Sequence, residues 1–264
     1  MNNFIFTLKK WSLALGINPS FTFKALANVL RYYKDKKELE KDIIKGQNSF
    51  NFGSSYPCLF DRDEEGGNAT GHYFHQDLLV AQKIFSANPE KHVDVGSRID
   101  GFVSHIASFR EIEVFDIRDI KTKVKNVKFV KADLMEQLDE NLINYTDSLS
   151  CLHTLEHFGL GRYGDKIDSN GYLTGFENLS QILKEGGKFY FSVPIGPQRI
   201  EFNAHRVFSL SYLSELVSTK FNIDSFSDVN DSGDLYKEVT LDNKNILKNL
   251  GCNYGCGIFE LTKK

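Results

Sequence analysis

The chain has 264 residues, 41% of them hydrophobic and 25% charged, which is ordinary globular usage and excludes a disordered or fibrous protein. A net charge of −3 and an isoelectric point near 6.2 argue against a surface given over to nucleic acid or anionic lipid and favour small-molecule chemistry. Four scattered cysteines, Cys58, Cys151, Cys252 and Cys256, make no disulfide framework and suit a reducing cytoplasm.

The opening MNNFIFTLKKWSLALGI is apolar, but Lys9 and Lys10 interrupt it and no small-residue cleavage site follows. Residues 4–17 are expected to pack on the core as a strand or helix, with peripheral membrane contact as the alternative. No stretch approaches the roughly 20 apolar residues of a membrane span. Ser20 follows Pro19, and Phe23, Leu26, Ala27 and Leu30 then recur at helical spacing before KDKKELEKDIIK. That pattern predicts a helical appendage over 20–45 with a solvated charged face. Residues 46–71, with Gly53, Pro57, Gly66, Gly67 and Gly71 around DRDEE, read as an irregular connection. The first 71 residues are therefore expected to be an N-terminal extension, and 72–264 the main domain.

Leu78, Leu79, Ala81, Gln82 and Phe85 predict a helix that stops before Pro89. Short apolar runs follow at 92–96, 112–117, 127–133, 147–153 and 187–194. Their alternation with helical or loop stretches predicts parallel strands with crossover helices on both faces. Runs at 221–229 and 255–263 have no convincing helix between them and predict an antiparallel edge hairpin with a long insertion. The expected fold is α/β, a Rossmann-like doubly wound, mostly parallel seven-stranded sheet with an antiparallel C-terminal hairpin.

In such a sheet, ligands bind beyond the carboxyl ends of the strands. Gly96 and Gly101 flank a tight turn after the first strand, where a missing side chain lets the backbone approach a ligand. Asp94 puts a carboxylate near that turn, which suits a cationic sulfonium and disfavours a pyrophosphate. Asp116 ends the second strand, where an acid accepts ribose hydroxyls. Asp133, after the third strand, is placed for an adenine amine. A nicotinamide dehydrogenase would need a middle glycine in G-x-G-x-x-G, and here Arg98 stands in that place.

The successive segments VDVGSRIDG, Asp116, AD at 132–133, CLHTLEHFG and LKEGGKFYFSVP resemble, in order, the motifs of class I S-adenosylmethionine-dependent methyltransferases. The flanks GHYFHQDLLVAQKIF, HFGLGRYGD, PIGPQRIEFNAHRVFS and YGCGIFEL resemble a narrower bacterial subfamily known only as a domain of unknown function. What the first resemblance implies is that Asp94 and Gly96 hold the methionine moiety of S-adenosylmethionine, Asp116 with Ile117 the ribose, and Asp133 with Leu134 the adenine. His153 would lie beside the methyl group, and Tyr73, Gln76 and Arg98 would reach the cofactor carboxylate. The product would be S-adenosylhomocysteine.

Methyl transfer is an in-line displacement that mainly needs acceptor, methyl and sulfur held collinear and dry. A neutral hydroxyl acceptor also benefits from a base, which makes His157, His153 and His205 the catalytic candidates. Arg162 and Tyr163, in a glycine-bearing loop with the look of a lid, and Arg199, Asn203, His205 and Arg206, after the fifth strand, are the substrate-binding candidates, since guanidinium groups suit phosphate or carboxylate. No metal is expected, although His153, His157 and the Cys252/Cys256 pair form a zinc alternative. The expected activity is O-methylation of a small polar acceptor, such as a sugar or a nucleotide-linked or phosphorylated precursor of bacterial surface polysaccharide. The competing readings are an inactive methyltransferase-like binding or scaffold module and, behind it, a nucleic-acid methyltransferase. No nucleic-acid partner is expected, and an oligomer is allowed.

Overall fold

A computed structural model of the chain describes residues 2–45, 50–119, 121 and 123–264. It divides into two compact units, Met1–Asn68 and Ala69–Lys264.

The first unit is built on helices α1 (Asn2–Ala14) and α2 (Pro19–Lys45). The Asn18 side chain accepts a hydrogen bond from the Phe21 amide at 3.1 Å, capping α2, and Pro19 fills a first-turn position where no N–H is needed. Asn28 donates to the Leu59 carbonyl (2.7 Å), and Arg62 pairs with Asp35 (3.2 Å), so the following connection is tied to α2. The helical appendage is present, but its apolar stripe is not buried: Phe23 and Leu30 are 73% and 80% exposed. The expectation that residues 4–17 pack on the core is corrected over Thr7–Ile17. That segment is helix running into a turn, and its side chains are nearly all exposed. The side chains of residues 4–6 and the connection at 46–49 lie outside the described residues. No helix among the described residues is long and apolar enough to cross a membrane.

The second unit opens with α3 (His72–Ala87), which ends on Asn88 in the left-handed conformation. The main sheet then forms from β1 (His92–Val95), β2 (Ile112–Asp116), β3 (Val127–Lys131), β4 (Thr146–Leu152), β5 (Leu183–Ile195), β8 (Phe221–Val229), β9 (Leu235–Tyr236) and β10 (Gly255–Lys263). Its order is β3-β2-β1-β4-β5-β10-β8-β9. The first five strands pair in parallel, and β10 inserts antiparallel between β5 and β8. The seven expected strands are all present, and the two-residue β9 adds an eighth at the edge.

Every residue of β1 and β2 is buried, as befits strands covered on both faces. Side chains alternate between two cores: along β10, Phe259 and Leu261 enter one, while Cys256 and Ile258 enter the other, beneath α3. The first core is covered by α5 (Gly171–Ile182) and α6 (Leu210–Ser218), the second by α3 and α4 (Ser104–Ala107). The β2–β3 and β3–β4 links contain no α-helix among the described residues, the first being a ten-residue, charge-rich segment too short for a helical crossover. Strands β6 (Arg199–Glu201) and β7 (His205–Val207) make a separate hairpin after β5, and α7 (Asn243–Leu247) lies in the insertion before β10.

Candidate active site

Strand order reverses beside β1, and the crevice opens there, beyond the carboxyl ends of β1, β2, β3 and β4. It has two lobes. One lies between Gly96, Asp116, Ile117, Asp133, Leu134, His153, His157 and Tyr163. The other runs along the turn after β1, past Tyr73, Gln76, Arg98, Gly101, His153 and Arg162.

The turn after β1 is forced by packing. Gly96 has φ +77°, and a Cβ there would lie 2.3 Å from Thr154 Cγ2. Asp94 does not face either lobe, contrary to its expected ligand role. It is wholly buried, accepting hydrogen bonds from the Ser97 amide (3.0 Å), Ser97 Oγ (2.9 Å) and Ser150 Oγ (2.6 Å). Burial pushes its carboxyl up to about 7 despite these bonds. Asp94 therefore shapes the turn from inside. Arg98 is on the rim, 76% exposed, its fork closed on Asp100 at 2.6 and 2.9 Å. That ion pair, local in sequence, takes the donors expected for a cofactor carboxylate.

Asp116 stands at the end of β2 with both oxygens in a fork from Arg118, at 2.9 and 2.6 Å, and with the Arg118 amide at 2.8 Å. Arg118 in turn lies 4.5 Å from the centre of the Tyr163 ring. Asp133 accepts from the Met135 amide (2.9 Å), and the Leu134 carbonyl accepts from Asn178 (2.9 Å), which fixes the third strand end. The loop 159–168 is organised by Asp165, whose carboxylate accepts from the amides of Gly159, Gly161 and Tyr163. It holds Tyr163 against His157, with ring centres 5.4 Å apart.

His153 follows β4 in the left-handed conformation, φ +50°, a strained state for a residue with a Cβ, which the surrounding contacts must hold. Its Nδ1 meets Glu156 Oε1 at 2.7 Å, and its ring lies 5.1 Å from those of His72 and Tyr73. Burial opposes charge on His153, but Cys256 and Glu156 outweigh it and raise its pKa well above the usual value. His157 hydrogen-bonds through Nδ1 to the Ala204 carbonyl at 2.6 Å. A carbonyl only accepts, so Nδ1 carries the hydrogen and Nε2 is the bare nitrogen. Burial lowers the pKa of His157 although Glu156 opposes the shift, which favours the neutral imidazole.

The segment after β5 does not present the expected anion pocket. Arg206 is buried and donates to the carbonyls of Phe158 (2.5 Å) and Ser169 (3.2 Å), with its guanidinium over Tyr172. Arg199 is spent on Glu201, Pro197 and Asn253. Asn203 is the exposed, left-handed turn residue of the β6–β7 hairpin, and His205 packs its ring 5.0 Å from Tyr254. None of these four lines either lobe. For the two arginines, donors aimed at a ligand from sequence alone are taken by neighbouring carbonyls or a carboxylate. Arg162 and Tyr163 do line the crevice. Residues lining the crevice that sequence reading did not assign to it include Arg118, Asp77, Thr154 and Met135. For Arg118 a signal was present, a cation two places after the strand-ending acid.

Strand order, the reversed last strand and the crevice together define a class I methyltransferase-like fold. The chain belongs to the family described as Caenorhabditis protein of unknown function, DUF268, whose model matches residues 92–251. Among solved structures it is similar to the [4+2]-cyclase SpnF, with 13% identity, 72% of this chain and 80% of that chain covered, and a TM-score of 0.50. It also matches 1,6-didemethyltoxoflavin-N1-methyltransferase from Burkholderia thailandensis, with 17% identity, 71% and 78% covered, and a TM-score of 0.48. The N-methyltransferase NodS from Bradyrhizobium japonicum WM9 matches with 8% identity, 73% and 88% covered, and a TM-score of 0.47. No curated protein matches the chain.

Proposed function

We propose that the chain is an S-adenosylmethionine-dependent methyltransferase in which residues 72–264 form the catalytic domain and residues 1–71 an extension. The observation that carries this reading is the first lobe, where Asp116 and Asp133 stand at the ends of neighbouring strands over an apolar floor of Val95, Phe115, Leu134 and Met135. That donor set fits a nucleoside whose ribose hydroxyls and adenine amine meet the two carboxylates. The solved structures crystallised with S-adenosylhomocysteine include NodS and the toxoflavin-pathway enzyme; the ligand is transferred here on the donor set, since fold alone does not fix chemistry.

When bound, the cofactor supplies a methyl group on a positively charged sulfur. The chain's part is to orient and desolvate: Tyr163 and the 159–168 loop cover the crevice, and His157 Nε2 takes a proton from an acceptor hydroxyl. The acceptor is a small polar molecule, in our reading a sugar or a phosphorylated or nucleotide-linked sugar of surface polysaccharide, and Arg162, which lines the second lobe and donates through Nη1 to the Ala204 carbonyl at 2.9 Å, would meet its charge. The bacterial and cytoplasmic setting belongs to the same proposal.

One feature favours the rival scaffold reading: Arg118 closes on the acid that should hold ribose. Calorimetry with S-adenosylmethionine and S-adenosylhomocysteine separates the two. We expect binding that weakens in Asp116→Ala by about 1.5–3 kcal/mol, the range for hydrogen bonds to charged groups. Absence of any heat at millimolar ligand, in wild type and in Arg118→Ala, would sink the enzyme reading. With an acceptor in hand, His157→Ala is expected to lower turnover and leave cofactor affinity unchanged.

A further inference from the structure

Among the described residues, one group of possible metal ligands converges. His72 at the start of α3, His153 after β4 and Cys256 at the start of β10 bring their nitrogen and sulfur atoms within 4.8 Å of one another. The zinc alternative weighed on the sequence had His153 and Cys256 but paired them with the wrong partners. His157 spends Nδ1 on Ala204, and the Cys252 sulfur packs against Gly255 in the first core, across the sheet from Cys256.

We propose that His72, His153 and Cys256 form a binding site for a divalent cation of the zinc class, with a fourth coordination position open on the crevice side. Three observations support it. First, His153 Nε2 is buried and makes no hydrogen bond, on a side chain only 3% exposed. An unpaired nitrogen there carries a desolvation cost that a ligand would offset. Second, the other nitrogen of the same ring is held by Glu156 at 2.7 Å. A carboxylate behind an imidazole is the arrangement that fixes a ligating ring and its tautomer. Third, two imidazoles and a thiol are a borderline-soft donor set that selects zinc-like ions over magnesium or calcium.

The geometry is close to closure. Zinc bonds of about 2.0–2.1 Å to nitrogen and about 2.3 Å to sulfur put tetrahedral donors roughly 3.5 Å apart. Drawing in the three atoms asks for shifts of about an ångström, and His72, the least buried of the three, can supply them by rotating its side chain. Binding needs a bare His153 Nε2 and a Cys256 thiolate, so the protons those two atoms carry pass to solvent. Three protein donors leave a position for water or a substrate oxygen, and His153 lines both lobes of the crevice.

The site does not depend on methyl transfer, and its test is independent of it. Cobalt(II) is titrated into the metal-stripped full-length chain while absorbance is followed. The expected result is a thiolate-to-cobalt charge-transfer band that zinc bleaches, that disappears in Cys256→Ser and that survives in Cys252→Ser, with thermal melting showing both variants folded. Glu156→Gln is expected to weaken zinc binding about 10–100-fold, the usual effect of losing an outer-shell partner, and His72→Ala by more. No band with the wild-type chain, or a band that persists in folded Cys256→Ser, overturns the site.

Discussion

Asp94 is the residue whose role changed most between sequence and structure. A carboxylate two places before a glycine turn reads as a ligand, but burial and three hydrogen bonds make it a strut. Its pKa is raised from about 3.8 to about 7, so the folded state prefers the protonated acid. The stability it contributes is full below about pH 4 and is lost as pH rises through about 7, on the order of 4 kcal/mol for a shift of that size. Asp94→Asn keeps the shape and cannot ionise. Urea unfolding is therefore expected to show the wild type losing stability relative to this variant between about pH 4 and about pH 7. Parallel curves would place the shift elsewhere. The arginines carry a related lesson: Arg98, Arg118 and Arg199 pair with acids two positions away, whereas Arg206 reaches carbonyls remote in sequence.

At the scale of elements, the junctions after β1 and β4 are coupled. Gly96 takes a left-handed conformation against Thr154, one residue beyond the strained His153. Gly96→Ala is expected to cost about 1–2 kcal/mol in backbone strain and about 1–3 kcal/mol in overpacking. Adding Thr154→Ala should recover part of the second term and none of the first, measured as a non-additive change in denaturation midpoint. Full additivity would mean the two junctions do not touch in solution. Strand positions were legible beforehand because short apolar or alternating runs are bounded by polar turns.

For the whole molecule, the two hydrophobic cores of the second unit begin at Val93 and at Leu79. A chain starting at Ala69 is expected to melt in one cooperative transition and to keep the cobalt band. A truncated chain lacking near-ultraviolet circular dichroism would make the extension part of the fold. Meanwhile α1 and α2 expose Trp11, Phe23 and Leu30, more apolar surface than composition alone foretold.

By itself the sequence determined the strands, the acids at their ends, the glycine turn and the antiparallel finish, because periodicity and turn chemistry are local and survive without a fold. Tertiary structure alone decided which polar groups remain free. Whether Asp94 faces a ligand or the core, whether Arg206 reaches a substrate or a loop carbonyl, and whether His72, His153 and Cys256 meet depend on sheet order and on which face each strand turns inward. Those follow from burying two apolar surfaces at once, a constraint that acts across the whole chain and leaves no mark at any one position.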